Sequence, residues 1–400
     1  MLRNVKPEHA RRPEGAVFRG PSRKLRPGVT RGGPGCLVDG GRSRESLGCL
    51  ERVDGVARRR AGSVAGVSRG TLPPPLEVPV PNGSTPRSRP SPTRRGRAGR
   101  IAALIAIAVV LVGLVTFAAI PVVVMGPMIR GPIAFATTYA GEDVGLTPER
   151  VTLLTSDGLE LAAYWVHVVE PAAVVVFVSG THGPSVTAFF GHAAMLAEGG
   201  YASLLVELRA RGESEGERIG LGYEEVLDLQ AAVAHVQARP AYAEVPIVAY
   251  GLSLGGATAI NAAGVTPAID GVVSLSAFSS WSDVFVDSMG LPEPFASVQR
   301  AFVELYLGFV YGFDRRELVP RRQIERLGSR PALLIHSRDD SQVPFASFER
   351  LVARAPARVE TWVRDGDAHL IVADGSFLRP EEDVEYAEVV LGFLRRHLGR

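Results

Sequence analysis

Cysteine is close to absent from this chain. Its 400 residues hold two, Cys36 and Cys49, and none follows residue 49. A disulfide framework, a thiolate nucleophile and a cysteine-based metal site are therefore excluded for most of the protein, and no Cys/His spacing of a metal site occurs anywhere. No metal or organic cofactor is implied. The first hundred residues lack something else, apolar periodicity. Stretches such as "RRPEGAVFRGPSRKLRPG" and "NGSTPRSRPSPTRRGRAGR" are rich in Arg, Gly, Pro and Ser. A segment like that buries too little apolar surface to offset its chain entropy, so residues 1–100 are expected to be a disordered basic tail. The formal charge of +2 conceals a strong division. Residues 1–100 carry 22 basic against 7 acidic side chains, a net +15, and residues 101–400 carry 22 against 35, a net −13. Such an arm can touch anionic lipid or nucleic acid. No aromatic or motif-like feature marks a nucleic-acid site, so nucleic acid is not the expected partner. The alternative is a start assigned too far upstream, with the protein beginning nearer Arg94.

Charge is missing altogether from Ile101 to Ile129, 29 residues in a row. About 20 apolar residues cross a bilayer core, so this run is long enough to span, even tilted or broken at Pro121. A buried core helix rarely runs so far without a polar face. Arg94, Arg95, Arg97 and Arg100 precede it, and Glu142, Asp143 and Glu149 dominate the stretch after it. The excess of arginine on one flank places the N-terminus in the cytoplasm and everything beyond residue 130 outside, in a single-pass cell-membrane topology. A cleaved signal peptide is the rival, with "FATTYA" at 135–140 offering small residues for processing. Its apolar core would be roughly 7–15 residues, far shorter than this one.

Beyond residue 148 the pattern changes. "VTLLTSDGLELAAYWVHVV" reads as two extended segments about a turn at Ser156-Asp157-Gly158. Short, nearly continuous runs of Val, Ile and Leu then recur at 173–180, 201–208, 245–253, 269–277, 331–337 and 359–366. Each has the length of a buried strand. Between them lie helix-period segments at about 185–199, 223–238, 255–264, 345–355 and 382–398. Strand and helix alternating in this way predict an α/β domain over 148–398, a mostly parallel sheet covered on both faces.

Three serines sit in a G-x-S-x-G pattern, which in many hydrolases is a sharp strand-to-helix turn presenting a nucleophile. They are Ser68, Ser214 and Ser253. Ser68 lies in the basic tail with no strand before it. Ser214, in "LRARGESEGERIG", is separated from the preceding strand and has no helix behind it, and Glu213, Glu215 and Glu217 would oppose a developing oxyanion. Ser253 meets each requirement: strand "VPIVAY", turn "GLSLG", then the small-residue helix "GATAINAA".

A serine needs a base, and the base an orienting acid. In this architecture they follow in the order acid, then histidine. That order excludes His167, His182, His192 and His235. His336 lies inside a strand and precedes the acid candidates, and His397 is among arginines on the terminal helix. His369, in "VRDGDAHLIV", follows the last strand in a loop and is the expected base. "LLIHSRDDSQVPF" offers Asp339 and Asp340 just past a strand end, while Asp314, Asp365 and Asp367 read as surface charges.

With "SDGLELAAYWV", "VELRARGESEG", "AYGLSLGG", "LSAFSSW", "LLIHSRDDSQVPF" and "GDAHL" in this order, the chain resembles the alpha/beta-hydrolase superfamily over about 148–398. Within it, the nearest likeness is to a branch of serine-aminopeptidase-like and acyl-thioesterase-like proteins. The resemblance implies that Asp340, opening the stretch Asp340-Ser341-Gln342-Val343-Pro344, is the acid beside Ser253 and His369. It implies oxyanion donors at the amide of Leu254 and at one in the loop after the third strand. Where the family has His-Gly-x, this chain has Ser179-Gly180-Thr181 and then a displaced His182-Gly183-Pro184. Proline has no N–H, which leaves Thr181 as the second donor. Glu207-Leu208-Arg209-Ala210-Arg211-Gly212 is a further departure. The aromatic segment of about 281–326 is expected to be a small helical cap. The function implied is a membrane-anchored serine hydrolase cleaving esters or thioesters of small or lipid-like acyl groups. A peptidase or amidase of the same fold, and an inactive fold kept for binding, are the alternatives.

Overall fold

An apolar run without polar alternation is stable as a strand only when both of its faces are covered. The computed structural model describes residues 94–372 and 377–399 and shows how that covering is done. The expected basic tail up to residue 93, with Cys36, Cys49 and Ser68, lies outside the described residues. Helix α1 (Arg94–Met128) contains the uncharged segment and continues through Pro121 and Pro127. It is long and apolar enough to cross a membrane, with a mean hydropathy of 2.9 in its most apolar window.

Strands β1 (Glu149–Leu154) and β2 (Glu160–Val166) form the expected hairpin and make one edge of an eight-stranded sheet. Next come β3 (Val174–Val178), helix α2 (Phe190–Glu198), β4 (Ala202–Val206), α3 (Glu225–Gln237), β5 (Ile247–Leu252), α4 (Leu254–Val265) and β6 (Gly271–Leu275). The chain then builds a helical insertion of α5 (Trp281–Met289), α6 (Phe295–Tyr311) and α7 (Pro320–Gln323). It finishes with β7 (Ala332–Ser337), α8 (Ala346–Val352), β8 (Val359–Arg364) and α9 (Val384–Leu398). The order across the sheet is β1-β2-β4-β3-β5-β6-β7-β8, with β3 to β8 parallel and β2 antiparallel to β4.

Alternate side chains of each strand enter two separate cores. Val175 and Phe177 join α2 and α9 on one face, while Val174, Val176 and Val178 join α3 and α4 on the other. From β3 the chain moves outward to β4, crosses back past β3 to β5, and then proceeds the other way to β8. The loops leaving the ends of β3 and β5 therefore diverge to opposite faces. A crevice opens between them, which is where open α/β sheets bind ligands. The expected α/β architecture is the one observed.

Candidate active site

Two loops meet at that crevice. Ser253 ends β5 and starts α4 with φ 56° and ψ −117°, a backbone conformation that costs a non-glycine residue on the order of 1–3 kcal/mol. The turn closes because its flanks are glycine. A Cβ on Gly251 would lie 2.1 Å from the carbonyl oxygen of Gly255, and one on Gly255 would lie 2.3 Å from that of Val178. The Ser253 amide donates to the Leu275 carbonyl at 2.7 Å, fixing the strained turn to β6. Leu254 opens α4, so its N–H belongs to the first helical turn, whose amides have no partner within the helix.

At the end of β7, Asp339 and Asp340 part company. Asp339 is exposed, whereas the Asp340 carboxylate is buried. Its Oδ1 accepts the amides of Gln342 and Val343, each at 2.9 Å, and its Oδ2 receives the Nδ1–H of His369 at 2.8 Å. Burial, the largest influence, would raise the Asp340 pKa. The hydrogen bond and charge of His369, with the two amides, outweigh it and hold the carboxyl below its ordinary range. The loop carrying His369 is tied down by two hydroxyls, Ser276 Oγ to the His369 carbonyl at 2.7 Å and Ser337 Oγ to the Ala368 carbonyl at 2.8 Å. Asp367 accepts the Ser341 amide at 2.9 Å, joining the two loops. It is thus more than the surface charge expected of it, unlike Asp365, which pairs with exposed Arg338. Ser276 and Ser337 carry no sequence signal, since a strand-end serine looks the same with or without such a bond.

His336 donates from Nε2 to the Val343 carbonyl at 2.9 Å, and burial lowers its pKa, so it supports the Asp340 loop as a neutral ring. His397 pairs with Glu360 on the outside of the sheet. Ser214 donates to the Glu207 carbonyl at 2.6 Å and accepts the Ala162 amide at 2.9 Å, which makes it a buried tie between loop and sheet.

Ser253, His369 and Thr181 line one cavity of about 560 Å³, together with Phe278, Trp281, Val284, Phe285, Met289 and Val343. Among the described residues its lining holds no carboxylate. Ile120, Val124 and Met128 complete the wall, so the last turns of α1 form part of the cavity, which the sequence did not foretell. A second cleft of about 280 Å³, lined by Arg315, Arg316, Arg321 and Arg322, contains none of these groups.

Thr181 sits in the loop after β3. The Thr181 carbonyl accepts the Nε–H of Arg211 at 3.2 Å. Arg211 is fully buried, also donates to the Arg209 carbonyl at 3.0 Å, and faces Glu225 at 3.4 Å. Glu225 in turn accepts the amides of Gly220 and Gly222. Neighbouring Arg209 is held by Asp157 and Asp228. The departure at 207–212 is therefore a buried ionic frame beneath the Thr181 loop.

A sheet in this order, its antiparallel hairpin at one edge and a serine on a strained turn after β5, defines the alpha/beta-hydrolase fold. The family described as Serine aminopeptidase, S33 matches residues 169–308. Two crystal forms of an esterase from Pyrococcus furiosus are similar. One is 23% identical with a TM-score of 0.52, covering 68% of this chain and 98% of the esterase. The other is 22% identical with the same score, covering 67% and 100%. An acylaminoacyl peptidase from Pyrococcus horikoshii is 18% identical with a TM-score of 0.47, covering 64% of this chain and 42% of the peptidase. At these identities the likeness is one of fold. No curated protein matches the chain significantly.

Proposed function

We propose that the protein is a membrane-anchored serine hydrolase that cleaves carboxylic esters or thioesters. The observation that carries this reading is the 2.8 Å contact between buried Asp340 and His369, in the same cavity as Ser253 on its strained turn. In the proposed reaction His369 Nε2 takes the Ser253 proton as Oγ attacks the acyl carbon. Asp340 holds the Nδ1–H tautomer and stabilises the imidazolium. The amides of Leu254 and Thr181 receive the oxyanion. His369 then protonates the leaving alcohol or thiol, and water, activated by the same ring, releases the acid and restores Ser253. The anchor is α1, with its arginine-rich flank in the cytoplasm and the catalytic domain outside.

Ester chemistry is favoured over an aminopeptidase because the described residues of the cavity lining offer no carboxylate to pair with a free α-ammonium group. The test is labelling of full-length protein by a fluorophosphonate, which reacts with an activated serine. Wild type and Ser214→Ala are expected to label, and Ser253→Ala is not. Labelling that persists in Ser253→Ala, or a folded wild type that does not label, would overturn the assignment, the latter favouring an inactive binding module.

A further inference from the structure

Helix α6 has two apolar faces: one packs into the core and the other is largely exposed. Val303 and Leu307 pack into the core. On the opposite side Phe295, Val298, Phe302, Leu305 and Phe309 recur at intervals of three and four residues, the spacing of a continuous stripe. Phe309 is 75% exposed and Phe295 57%. Among the exposed positions of α6 the only charged one is Glu304, and it lies 3.5 Å from Arg321. A stripe of this kind on a soluble protein requires a partner.

The packing of α1 identifies it. Phe117 of α1 meets Phe302 edge to face, with ring centroids 6.4 Å apart, and Gly126 faces Tyr306. At 1.5 Å per residue, about 20 residues cross a hydrocarbon core of about 30 Å. Counted from the arginine flank ending at Arg100, that core ends near Ile120. Phe117 lies within it, so Phe302 is brought to the depth of acyl chains. Ile120, Val124 and Met128, one turn apart in succession, rise through the headgroup layer, and these three line the cavity that holds Ser253.

We propose that the outer stripe of α6 is a membrane-docking face, set into the leaflet on the folded domain's side of the bilayer that α1 crosses. The substrate class is then a long-chain acyl ester that resides in that leaflet and enters the cavity between α1 and the helical insertion. The substrate class rests on the hydrolase reading above, whereas the docking face rests only on α1 as the membrane anchor. Continuity with the spanning helix argues for lipid as the occupant, since a protein partner would have to share the surface with the bilayer.

The experiment uses full-length protein in phosphatidylcholine vesicles. The triple variant Phe295→Gln, Leu305→Gln, Phe309→Gln changes no residue that lines the cavity. It is expected to hydrolyse a soluble short-chain nitrophenyl ester within about twofold of wild type, and a vesicle-borne long-chain ester at least tenfold more slowly. Equal hydrolysis of the vesicle-borne ester by variant and wild type would overturn the proposal. Phe295→Trp and Phe309→Trp supply a readout independent of turnover. Each added indole is expected to be quenched by lipids brominated on the acyl chain, and absence of quenching at both positions would overturn the docking face. A wild type that hydrolyses neither ester would refute the hydrolase reading, while quenching would still decide the face.

Discussion

Replacing Arg211 by methionine removes a charge and three contacts while keeping most of the buried volume. Its Nε–H steadies the Thr181 carbonyl, and its Nη1 bridges the Arg209 carbonyl and Glu225. The substitution brings two separable losses. Glu225 is left as a buried carboxylate without its cation, a change that costs about 3–5 kcal/mol in general. The amides of Gly220 and Gly222 still serve it, so the lower end, about 3 kcal/mol, is expected. The Thr181 loop meanwhile loses the donor that orients it. If its amide is one of two oxyanion donors, kcat on a soluble ester falls by about 100-fold, because donors of this kind act through alignment with the transition state. Steady-state kinetics beside urea unfolding separate the two effects. The double variant Arg211→Met, Glu225→Gln removes the stranded charge and is expected to regain at least about 1 kcal/mol of stability with kcat still low. Arg211→Met that is folded and retains kcat within threefold would refute the reasoning. So would a double variant that regains activity together with stability.

Three further outcomes are expected. Asp340→Asn keeps an acceptor for the Gln342 and Val343 amides but turns an NH2 group toward His369 Nδ1. The ring is then driven to the wrong tautomer, and kcat falls by on the order of 10⁴ with little change in KM. Gly255→Ala places a methyl 2.3 Å from the Val178 carbonyl oxygen. It is expected to lower stability by about 1–3 kcal/mol or more in denaturant titration, and to lower labelling of Ser253 by displacing the turn. His192 is fully buried, bonded to the Tyr386 hydroxyl at 3.0 Å, and burial pushes its pKa down to about 3. A histidine whose pKa is depressed by folding contributes stability that is present above the unfolded value near 6.5 and lost as pH falls below it. Across the window from about 6.5 toward 3 its share of the loss approaches about 1.4 kcal/mol per pH unit. His192→Gln is expected to be less stable at pH 7 but to lose correspondingly less between pH 6.5 and 5. Equal slopes for the two proteins in urea unfolding would refute the account.

Much of the candidate site's layout is a local matter. Gly251, Ser253 and Gly255 are fixed by spacing because only glycine allows the carbonyls of Gly255 and Val178 to come so close. The strands at 173–180 and 245–253 announce themselves because a strand buried on both faces is apolar throughout. The spanning length of α1 is legible for the same kind of reason, as length and lack of charge are properties of the chain itself. Asp339 and Asp340 were not separable by position alone. Resemblance favoured Asp340, and the fold buries that carboxylate against His369 while leaving its neighbour in water.

Only the tertiary structure decided which distant segments share a surface. Ser276 and Ser337 hold the His369 loop across 93 and 31 residues of sequence. Arg211 reaches the Thr181 carbonyl across 30, turning an apparent drift into a support. The end of α1, more than 120 residues before Ser253, closes the cavity beside it. The sequence records each residue's preference for water, helix or strand, and those preferences settled the layers, the turn and the long apolar helix. Contacts made by crossing the sheet leave no periodicity to read. The frame beneath Thr181 and the wall that α1 adds to the cavity therefore appear only once the chain is folded.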